Sequence, residues 1–253
     1  MTDQWTNWLI AIPSYKRSNI LPLKTLETLE RYGIPRSKIY IFIVPEEEQE
    51  YKNTCNGYQI VLGVLGLVNQ RAFIEQYFPI NSLILFMDDD IADIFTVKDS
   101  KTRLACEDLS ETISNGFLKM LIERATIWSI YPVDNTMFMF KSIPITTDLR
   151  YMIGAFYGIK NTRDILLVDD AVEDRERTIL RFIRDKKVIR FNRIGMKTKY
   201  FAPGGMMSAD RQIKHKISSE NLVQKYPDFC RLKIRKNGYI DCQIKTKISN
   251  PLV

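Results

Sequence analysis

Three consecutive aspartates, Asp88, Asp89 and Asp90, directly follow the apolar run LILFM at residues 83–87. A run of this length and composition is typical of a strand that is buried on both faces. Three ionised carboxylates at a strand end need a cation or exposure to water, because burying an unpaired charge is costly. Oxygen ligands without sulfur favour Mg²⁺ or Mn²⁺, which leave positions for water and substrate phosphate. The stretch therefore predicts a metal and diphosphate site, with a solvated acidic turn as the alternative.

The segments before these aspartates alternate between strand and helix patterns. Strands are predicted over residues 8–13, 39–44, 60–62 and 83–87, and helices over 21–32 and 68–78. This order favours a parallel α/β sheet with right-handed connections. Ligands of such sheets bind at the carboxyl ends of the strands, where the polar residues of these loops lie.

The second half of the chain gives a less regular pattern. We expect an irregular connection over 93–109, a helix over 110–131 and strands over 136–140 and 153–159. A helix over 172–184, with several arginines on its outer face, a strand over 188–191 and a Pro- and Gly-rich loop over 200–207 should follow. Gly154 and Gly158, inside a strand pattern, indicate a bulge or a close approach by another group. The pair Asn237-Gly238 predicts a hairpin turn between two short strands.

Composition limits the class of protein. The chain has 253 residues, 37 Lys+Arg against 30 Asp+Glu and a net charge of +7, which allows one large α/β domain with a positive field that favours a polyanionic partner. Four cysteines without a C-x-x-C pair predict neither a zinc site nor a disulfide scaffold, and the single histidine excludes His-rich metal chemistry. We find no signal-peptide or membrane-spanning pattern and expect a soluble, cytoplasmic protein.

The turn PSYKR at residues 13–17, the aspartates and the later pair Glu173-Asp174 together resemble the glycosyltransferases of the GT-A fold. This resemblance covers about residues 8–215 and implies a Rossmann-like mixed sheet flanked by helices. It also implies a single domain over 1–253, in which 8–95 bind the nucleotide sugar, 96–215 bind the acceptor and 216–253 form a basic extension. Asp88 and Asp90 match the outer positions of the Asp-x-Asp motif that holds the metal on the diphosphate in that fold.

The same resemblance implies roles for individual residues. The nucleoside-diphosphate sugar would contact Pro13, Tyr15, Arg17, Glu46, Arg71, Asp88, Asp89, Gly204 and Gly205, and Mn²⁺ or Mg²⁺ would contact Asp88, Asp90 and His215. Asp174 would act as the base toward the acceptor hydroxyl, with Asp169 and Asp170 as alternatives. Plain structural explanations stay open, because helix starts are often acidic and glutamate runs such as 46–48 are usually solvated.

A narrower resemblance rests on IPSYKR, TLETLERYGI, MDDDI and the late Pro-Gly-Gly-Met loop. These segments look like the glycosyltransferases associated with thymine and cytosine oxidation enzymes, a group that includes the kinetoplastid base J glucosyltransferase and many phage proteins. That resemblance implies UDP-glucose as donor, a hydroxymethylated pyrimidine in DNA as acceptor and a viral or phage source, in the host cytoplasm. DNA contacts would come from Lys197, Lys199, Arg211, Lys214 and Lys216. Two alternatives remain, namely a protein, glycan or lipid acceptor and a non-catalytic nucleic-acid-binding protein.

Overall fold

The structure is a computed structural model that describes residues 4–198, 209–235 and 238–246. In these residues the strands are β1 Trp8–Pro13, β2 Ile39–Ile43, β3 Gln59–Leu62, β4 Leu83–Met87, β5 Ile91–Val97, β6 Arg103–Ala105, β7 Ile127–Ile130, β8 Ile145–Thr146, β9 Phe156–Lys160, β10 Ile189–Phe191, β11 Ile194–Thr198, β12 Cys230–Ile234 and β13 Ile240–Ile244. The α-helices are α1 Glu27–Arg31, α2 Glu48–Thr54, α3 Leu67–Tyr77, α4 Leu109–Ile122, α5 Thr136–Lys141, α6 Glu173–Asp185 and α7 Ala209–Lys225. A π-helical turn, Pro22–Leu26, leads into α1, and short 3₁₀ turns cover Gln4–Thr6, Arg36–Lys38 and Pro45–Glu47.

An eight-stranded sheet forms the centre, in the order β3-β2-β1-β4-β9-β7-β10-β8. Neighbours β3, β2, β1 and β4 are parallel, β9 runs antiparallel between β4 and β7, and β10 is parallel to β7. Six strands therefore end at the same edge, and the aspartates that follow β4 lie at that edge. The nearly continuous apolar runs explain the central strands, because both faces of the sheet are covered. Ile10, Ile41 and Leu85 are fully buried on one face, and Ala11, Phe42 and Ile84 are fully buried on the other.

Two smaller sheets lie beside the central one. In the three-stranded sheet β11-β5-β6, β5 begins one residue after Asp90 and pairs with β11 from Ile194↔Thr96 to Thr198↔Ile91. The β12–β13 hairpin packs against α7, and Gly238 adopts a left-handed φ of +78° in its turn. The predicted C-terminal hairpin is therefore confirmed in its two strands, while Asn237 lies outside the described residues. No helix in the described ranges is both long and apolar enough to cross a membrane.

The predicted helix over 110–131 is wrong in its second half. Helix α4 ends at Ile122, Arg124 takes a left-handed φ of +56°, and β7 begins at Ile127 in the middle of the sheet. Trp128 is buried in this strand against Gly158 of β9, where an added Cβ would lie 2.0 Å from the indole Nε1. The close approach predicted for Gly158 is thus confirmed. The apolar spacing around Trp128 fits a buried strand as well as a helix face, which is why the pattern predicted a helix up to residue 131.

Other elements of the second half also differ from the expectation. Residues 136–140 form helix α5 rather than a strand, because the Asn135 side chain caps it by accepting from the Phe138 amide at 3.2 Å. The segment 93–109, expected to be irregular, contains β5 and β6, and helix α7 covers residues for which no element was predicted. In α6, Arg177 and Arg181 are 1% and 0% exposed, so the arginines expected on the outer face include two that are buried. The predicted loop over 200–207 lies outside the described residues.

Candidate active site

The turn after β1 and the aspartates after β4 meet because the two strands are adjacent and parallel. The Ser14 hydroxyl donates to Asp89 Oδ2 at 2.6 Å. Arg17 Nη1 donates to Asp89 Oδ1 at 2.8 Å and to Asp90 Oδ2 at 3.0 Å. We call Asp88, Asp89 and Asp90 the triplet cluster. Arg17 was predicted at this site from the sequence, whereas Ser14 was not, although it sits between the predicted Pro13 and Tyr15.

Helix α2 supports the same turn. The Tyr51 hydroxyl lies 2.8 Å from Ser14 Oγ and accepts from the Arg17 amide at 3.2 Å, while burial raises the Tyr51 pKa to about 12. Glu47 accepts from the Lys16 amide at 3.0 Å, which holds Lys16 at a left-handed φ of +55°. Glu46 is exposed, as is Tyr15, whose ring centre lies 5.1 Å from Lys16 Nζ.

Two threonines hold the loop of the triplet cluster. Thr25 Oγ1 donates to the Asp88 carbonyl at 2.7 Å and accepts from the Ile91 amide at 3.0 Å. Thr198, the last residue of β11, donates to Asp90 Oδ1 at 2.9 Å. Neither threonine was predicted, since no local sequence signal links residues so far apart in the chain.

Asp88 differs from its two neighbours in that the cation nearest to it is farther away. Its carboxylate is 40% exposed, and its nearest guanidinium nitrogen is Arg71 Nη2 at 3.8 Å. The surrounding protein partly removes water from this carboxylate and so raises the Asp88 pKa to about 7; Arg71 lowers it, and Asp89, Asp90 and Glu173 raise it further. A cation at this position would relieve the repulsion among these carboxylates.

The donor set therefore fits a hard divalent ion. In the described residues no three Asp, Glu, His or Cys side chains gather as metal ligands. Mg²⁺ typically takes one or two carboxylates and fills its other positions with water and phosphate oxygens. Asp88 and Asp90 would supply two carboxylates of this kind at the sheet edge, although Asp90 also accepts hydrogen bonds from Arg17 and Thr198.

Arg71 of α3 links the triplet cluster to the start of α6. Its side chain is 4% exposed; Nη1 donates to the Tyr157 hydroxyl at 2.5 Å, and Nη2 donates to the Gly154 carbonyl at 3.1 Å. The same Nη2 lies 3.3 Å from Glu173 Oε1. Despite burial, the carboxylates of Glu173 and Asp88 help to raise the Arg71 pKa. Arg71, which was predicted to contact the donor, thus lies between the triplet cluster and the start of α6.

Asp174 follows Glu173 in the first turn of α6. Its Oδ2 accepts from the Tyr151 hydroxyl, and its Oδ1 accepts from the Arg175 amide at 2.8 Å and from Arg175 Nη1 at 3.0 Å. A Cβ added at Gly154 would lie 2.9 Å from Glu173 Oε1, 3.3 Å from Asp174 Cβ and 3.5 Å from Arg71 Nη2. Gly154 therefore lets the start of α6 approach Arg71, which contacts Asp88. Asp174 as the base stays a prediction.

The C-terminal hairpin reaches the same helix start. Arg175 Nη2 lies 2.8 Å from Asp241 Oδ1 of β13, and Arg175 Nε donates to the Cys242 carbonyl at 2.8 Å. Asp241 also pairs with Arg235 at 2.5 Å, and the surrounding cations lower its pKa. We call Glu173, Asp174 and Asp241 the paired cluster, because each of these carboxylates contacts at least one guanidinium.

His215 belongs to this second group. Its Nε2 lies 3.2 Å from Asp241 Oδ1, its Nδ1 lies 3.2 Å from the Ala171 carbonyl, and its ring stacks on Tyr239 at 5.0 Å. Both ring nitrogens are thus engaged away from the triplet cluster, so the structure does not bring His215 to Asp88 and Asp90 as predicted.

The remaining predicted residues lie at several places. Asp169 accepts from the Ser218 hydroxyl at 2.5 Å and Asp170 from the Val68 amide at 2.7 Å, so both brace neighbouring segments. Lys197 lies 3.4 Å from Asp93, while Lys214 and Lys216 are exposed on α7. Lys199, Gly204, Gly205 and the Arg211 side chain lie outside the described residues.

A mixed sheet of this order, with carboxylates following its fourth strand at the carboxyl edge, defines the class of GT-A nucleotide-diphospho-sugar transferase folds, as the sequence predicted. Solved structures with this fold resemble the chain. TarS from S. aureus, residues 1–349, aligns with a TM-score of 0.53 at 13% identity over 86% of this chain and 65% of that one. The mannosyltransferase PcManGT from Pyrobaculum calidifontis, with GDP-Man and Mn²⁺, aligns at 0.50 and 11% identity over 87% and 63%.

A third similar structure is glucosyl-3-phosphoglycerate synthase from Mycobacterium tuberculosis with Mn²⁺ and UDP-Glc, at a TM-score of 0.53 and 8% identity over 96% of this chain and 88% of that one. The chain spans less than two thirds of the length of the first two structures. No family model and no curated protein matches the sequence. At these identities the likeness establishes the fold, and the reaction has to be argued from the residues.

Proposed function

We propose that the protein is a metal-dependent glycosyltransferase that moves a sugar from a nucleoside-diphosphate sugar to an acceptor hydroxyl. The observation that carries this proposal is the triplet cluster. Its carboxylates outnumber the cations that contact them, and it lies at the carboxyl edge of a GT-A sheet beside the β1 turn. That edge is where ligands of open α/β sheets bind.

Asp88 and Asp90 would hold the divalent ion, which neutralises negative charge on the departing diphosphate. Asp89, fixed by Ser14 and Arg17, would face the ribose or sugar hydroxyls. Arg17 is 21% exposed and so retains surface for a phosphate oxygen, which a planar guanidinium matches well. Tyr15, exposed in the same turn, would stack on the nucleobase.

Asp174 would take the proton from the acceptor hydroxyl. As the acceptor oxygen bonds to the anomeric carbon, the bond from that carbon to the diphosphate breaks, and the nucleoside diphosphate leaves with the electron pair. Tyr151 and Arg175 orient the Asp174 carboxylate, whose 18% exposure leaves it accessible to an acceptor. A single displacement of this kind inverts the anomeric configuration.

For donor and acceptor we propose UDP-glucose and a hydroxymethylated pyrimidine in DNA. Support comes from the narrower sequence resemblance, the net charge of +7 and the exposed basic residues Lys214 and Lys216. Such an enzyme would have to expose its target base, as enzymes that modify bases do. A protein, glycan or lipid acceptor is the competing outcome of the experiment below.

The donor part is tested by thermal unfolding with a panel that includes UDP-glucose and GDP-mannose, with and without Mn²⁺. A ligand that binds only the folded state stabilises it, so we expect a higher Tm when metal and the correct donor are both present. If no nucleotide sugar raises the Tm, the glycosyltransferase proposal is wrong.

The acceptor part is tested by incubating protein, Mn²⁺ and the stabilising donor with duplexes that contain hydroxymethylcytosine, hydroxymethyluracil or, as the control, unmodified bases. We expect mass spectrometry to find one added hexose on a hydroxymethylated duplex only. A donor-dependent Tm rise without transfer to any duplex would reject DNA as acceptor and leave the enzyme class intact.

A further inference from the structure

Arg190 is a buried cation with no carboxylate within 4.0 Å among the residues that the structure describes. It lies in β10 and is 9% exposed. Its Nε donates to Asn192 Oδ1 at 2.7 Å, its Nη1 donates to the Tyr151 carbonyl at 3.3 Å, and its guanidinium carbon lies 5.1 Å from the centre of the Tyr131 ring. These partners are all neutral, so the positive charge of Arg190 is not balanced by them.

The other deeply buried arginines behave differently. Arg71 lies 3.3 Å from Glu173, Arg177 pairs with the same carboxylate, and Arg181 lies 3.9 Å from Glu75. No carboxylate oxygen in the described residues comes within 4.0 Å of the Arg190 guanidinium. The neighbouring Arg150 adds like charge, and its own partner is Asp148 at 2.8 Å. Burial lowers the Arg190 pKa to about 10, and Tyr131 and Asp148 offset this only in part; burial also lowers the Arg181 pKa, whereas the Arg71 pKa is raised.

Arg190 also lies near the proposed chemistry. Strand β10 is parallel to β7 and ends at the same edge of the sheet as β4, where the triplet cluster lies. Tyr151 connects Arg190 to the proposed base, since its carbonyl accepts from Arg190 and its hydroxyl donates to Asp174. The Arg190 guanidinium and the Asp174 carboxylate therefore contact opposite ends of Tyr151, its carbonyl and its hydroxyl.

One nitrogen of the guanidinium remains available. Among the described residues Arg190 Nη2 has no hydrogen-bond partner, and it is not one of the fully buried unpaired nitrogens, which include Nε of Arg71 and Nη2 of Arg177. A buried, unbalanced guanidinium with a nitrogen open to solvent has the chemistry of an anion-binding group.

We infer that Arg190 binds an anionic group of the acceptor, a phosphate ester, about one tyrosine length from the hydroxyl that reacts at Asp174. This assignment to the acceptor rests on the proposed transfer reaction, but the anion binding itself does not. The phosphate could be a monoester on a small polyol or a diester of a nucleic acid, and the two sources differ only in what carries the group.

The test compares wild type, Arg190→Gln and the control Arg184→Gln, whose surface arginine pairs with Asp164. Thermal unfolding is followed without metal or donor in inorganic phosphate, glycerol 3-phosphate or a short DNA oligonucleotide, each against NaCl of equal ionic strength. We expect phosphate to raise the Tm of wild type and of Arg184→Gln by about 3 °C and that of Arg190→Gln by less than half as much. The ester that gives the larger shift identifies the source.

The variant without ligand supplies the second criterion. Because Arg190→Gln removes an unbalanced buried charge but also the hydrogen bonds to Asn192 and to the Tyr151 carbonyl, its Tm without ligand should lie within about 5 °C of the wild-type value. A fall of more than about 5 °C would show that Arg190 supports the fold instead and would overturn the inference. So would equal phosphate shifts in wild type and Arg190→Gln, or no shift in either.

A kinetic measurement applies once an acceptor is known. Losing one charge-assisted hydrogen bond should raise the acceptor KM roughly 10- to 100-fold while the donor KM stays unchanged. Equal changes in both constants would contradict an acceptor subsite. Because the phosphate titration needs no turnover, its result stands even if the transfer reaction is not found.

Discussion

The triplet cluster and the paired cluster each hold three carboxylates, yet their charge balance differs. Arg17 serves both Asp89 and Asp90, and Asp88 has only Arg71 at 3.8 Å. In the paired cluster Asp174 and Asp241 share Arg175, and Arg235 adds a second cation to Asp241. Acidic residues in a sequence thus give two different sites, depending on which cations the fold brings to them.

The pKa directions follow this difference. The Asp88 pKa is raised to about 7, so its carboxylate gains by binding a cation, whereas the Asp241 pKa is lowered by cations already in place. The first cluster is suited to bind an ion that arrives with substrate, and the second to hold a carboxylate in a fixed orientation.

The largest effect should separate the clusters by activity. Asp88→Asn and Asp174→Asn should each lower kcat by about 10³-fold, the first by weakening metal and diphosphate binding and the second by removing the base. Only Asp88→Asn should also lose the Mn²⁺-dependent Tm rise with donor. Exposed Asp228→Asn is the control and should behave as wild type. Full transfer by Asp174→Asn would exclude it as the base.

Stability should distinguish the clusters next. Asp241→Asn leaves Arg175 and Arg235 without their shared carboxylate and should lower the free energy of unfolding by roughly 3 kcal/mol, measured by urea denaturation. Because the folded-state pKa of Asp241 is lowered, this contribution is complete above about pH 4 and is lost as the pH falls further. An unchanged midpoint at pH 7 would mean that the hairpin does not depend on this pair.

For the triplet cluster without metal, we expect stability to change with pH in the opposite direction, falling as the pH rises. With a folded-state pKa of about 7 against 3.8, Asp88 binds its proton more tightly in the folded protein, so wild type loses stability as pH rises from about 4 to 7. Because the Asp88 side chain is 40% exposed, solvent screens much of this effect, so with EDTA present we expect Asp88→Asn to melt only about 2 °C above wild type at pH 8 and at the same temperature near pH 4. A lower Tm for the variant at pH 8 would mean that Asp88 is already balanced without metal.

The smallest effect concerns an exposed ion pair, for contrast with both clusters. Lys216 and Glu220 lie 3.9 Å apart on α7, and Lys216→Gln should change the Tm by less than about 1 °C because solvent screens the pair. If α7 contacts DNA, the same change should weaken binding equally across sequences and reduce its salt dependence by about one phosphate contact. Glu220→Gln, which leaves the lysine in place, is the control.

Sequence patterns were sufficient for the first half of the sheet. Strands β1, β2 and β4 and the meeting of Arg17 with the triplet cluster follow from apolar runs and from the rule that parallel strands present their carboxyl ends together. In this half of the sheet, the strand patterns and the positions of the charged residues indicate the same arrangement. The likeness to solved structures confirms the fold class but tests none of the assigned residues.

The second half depended on distant contacts that no local pattern contains. Trp128 looks the same on a helix face and in a buried strand, and only its packing on Gly158 decides between them. Arg177 can be buried because Glu173 and the ring of Tyr157, 3.7 Å from its guanidinium carbon, receive it. His215 was assigned to the first site from the GT-A resemblance, and no local pattern indicated its partner Asp241, which lies 26 residues away in another element.

Gly154 predicts which residue types related proteins should have at this site. A methyl group there would lie 2.9 Å from Glu173 Oε1, so the Glu173 carboxylate would have to move and would lose its present contacts with Arg71 and Arg177. Any homologue that retains the arginine and the acidic pair should therefore have glycine at this position, and one with a larger residue should have lost the arginine or the pair as well. The absence of a side chain at residue 154 thus links the residue types at three distant places in the chain, which should change together.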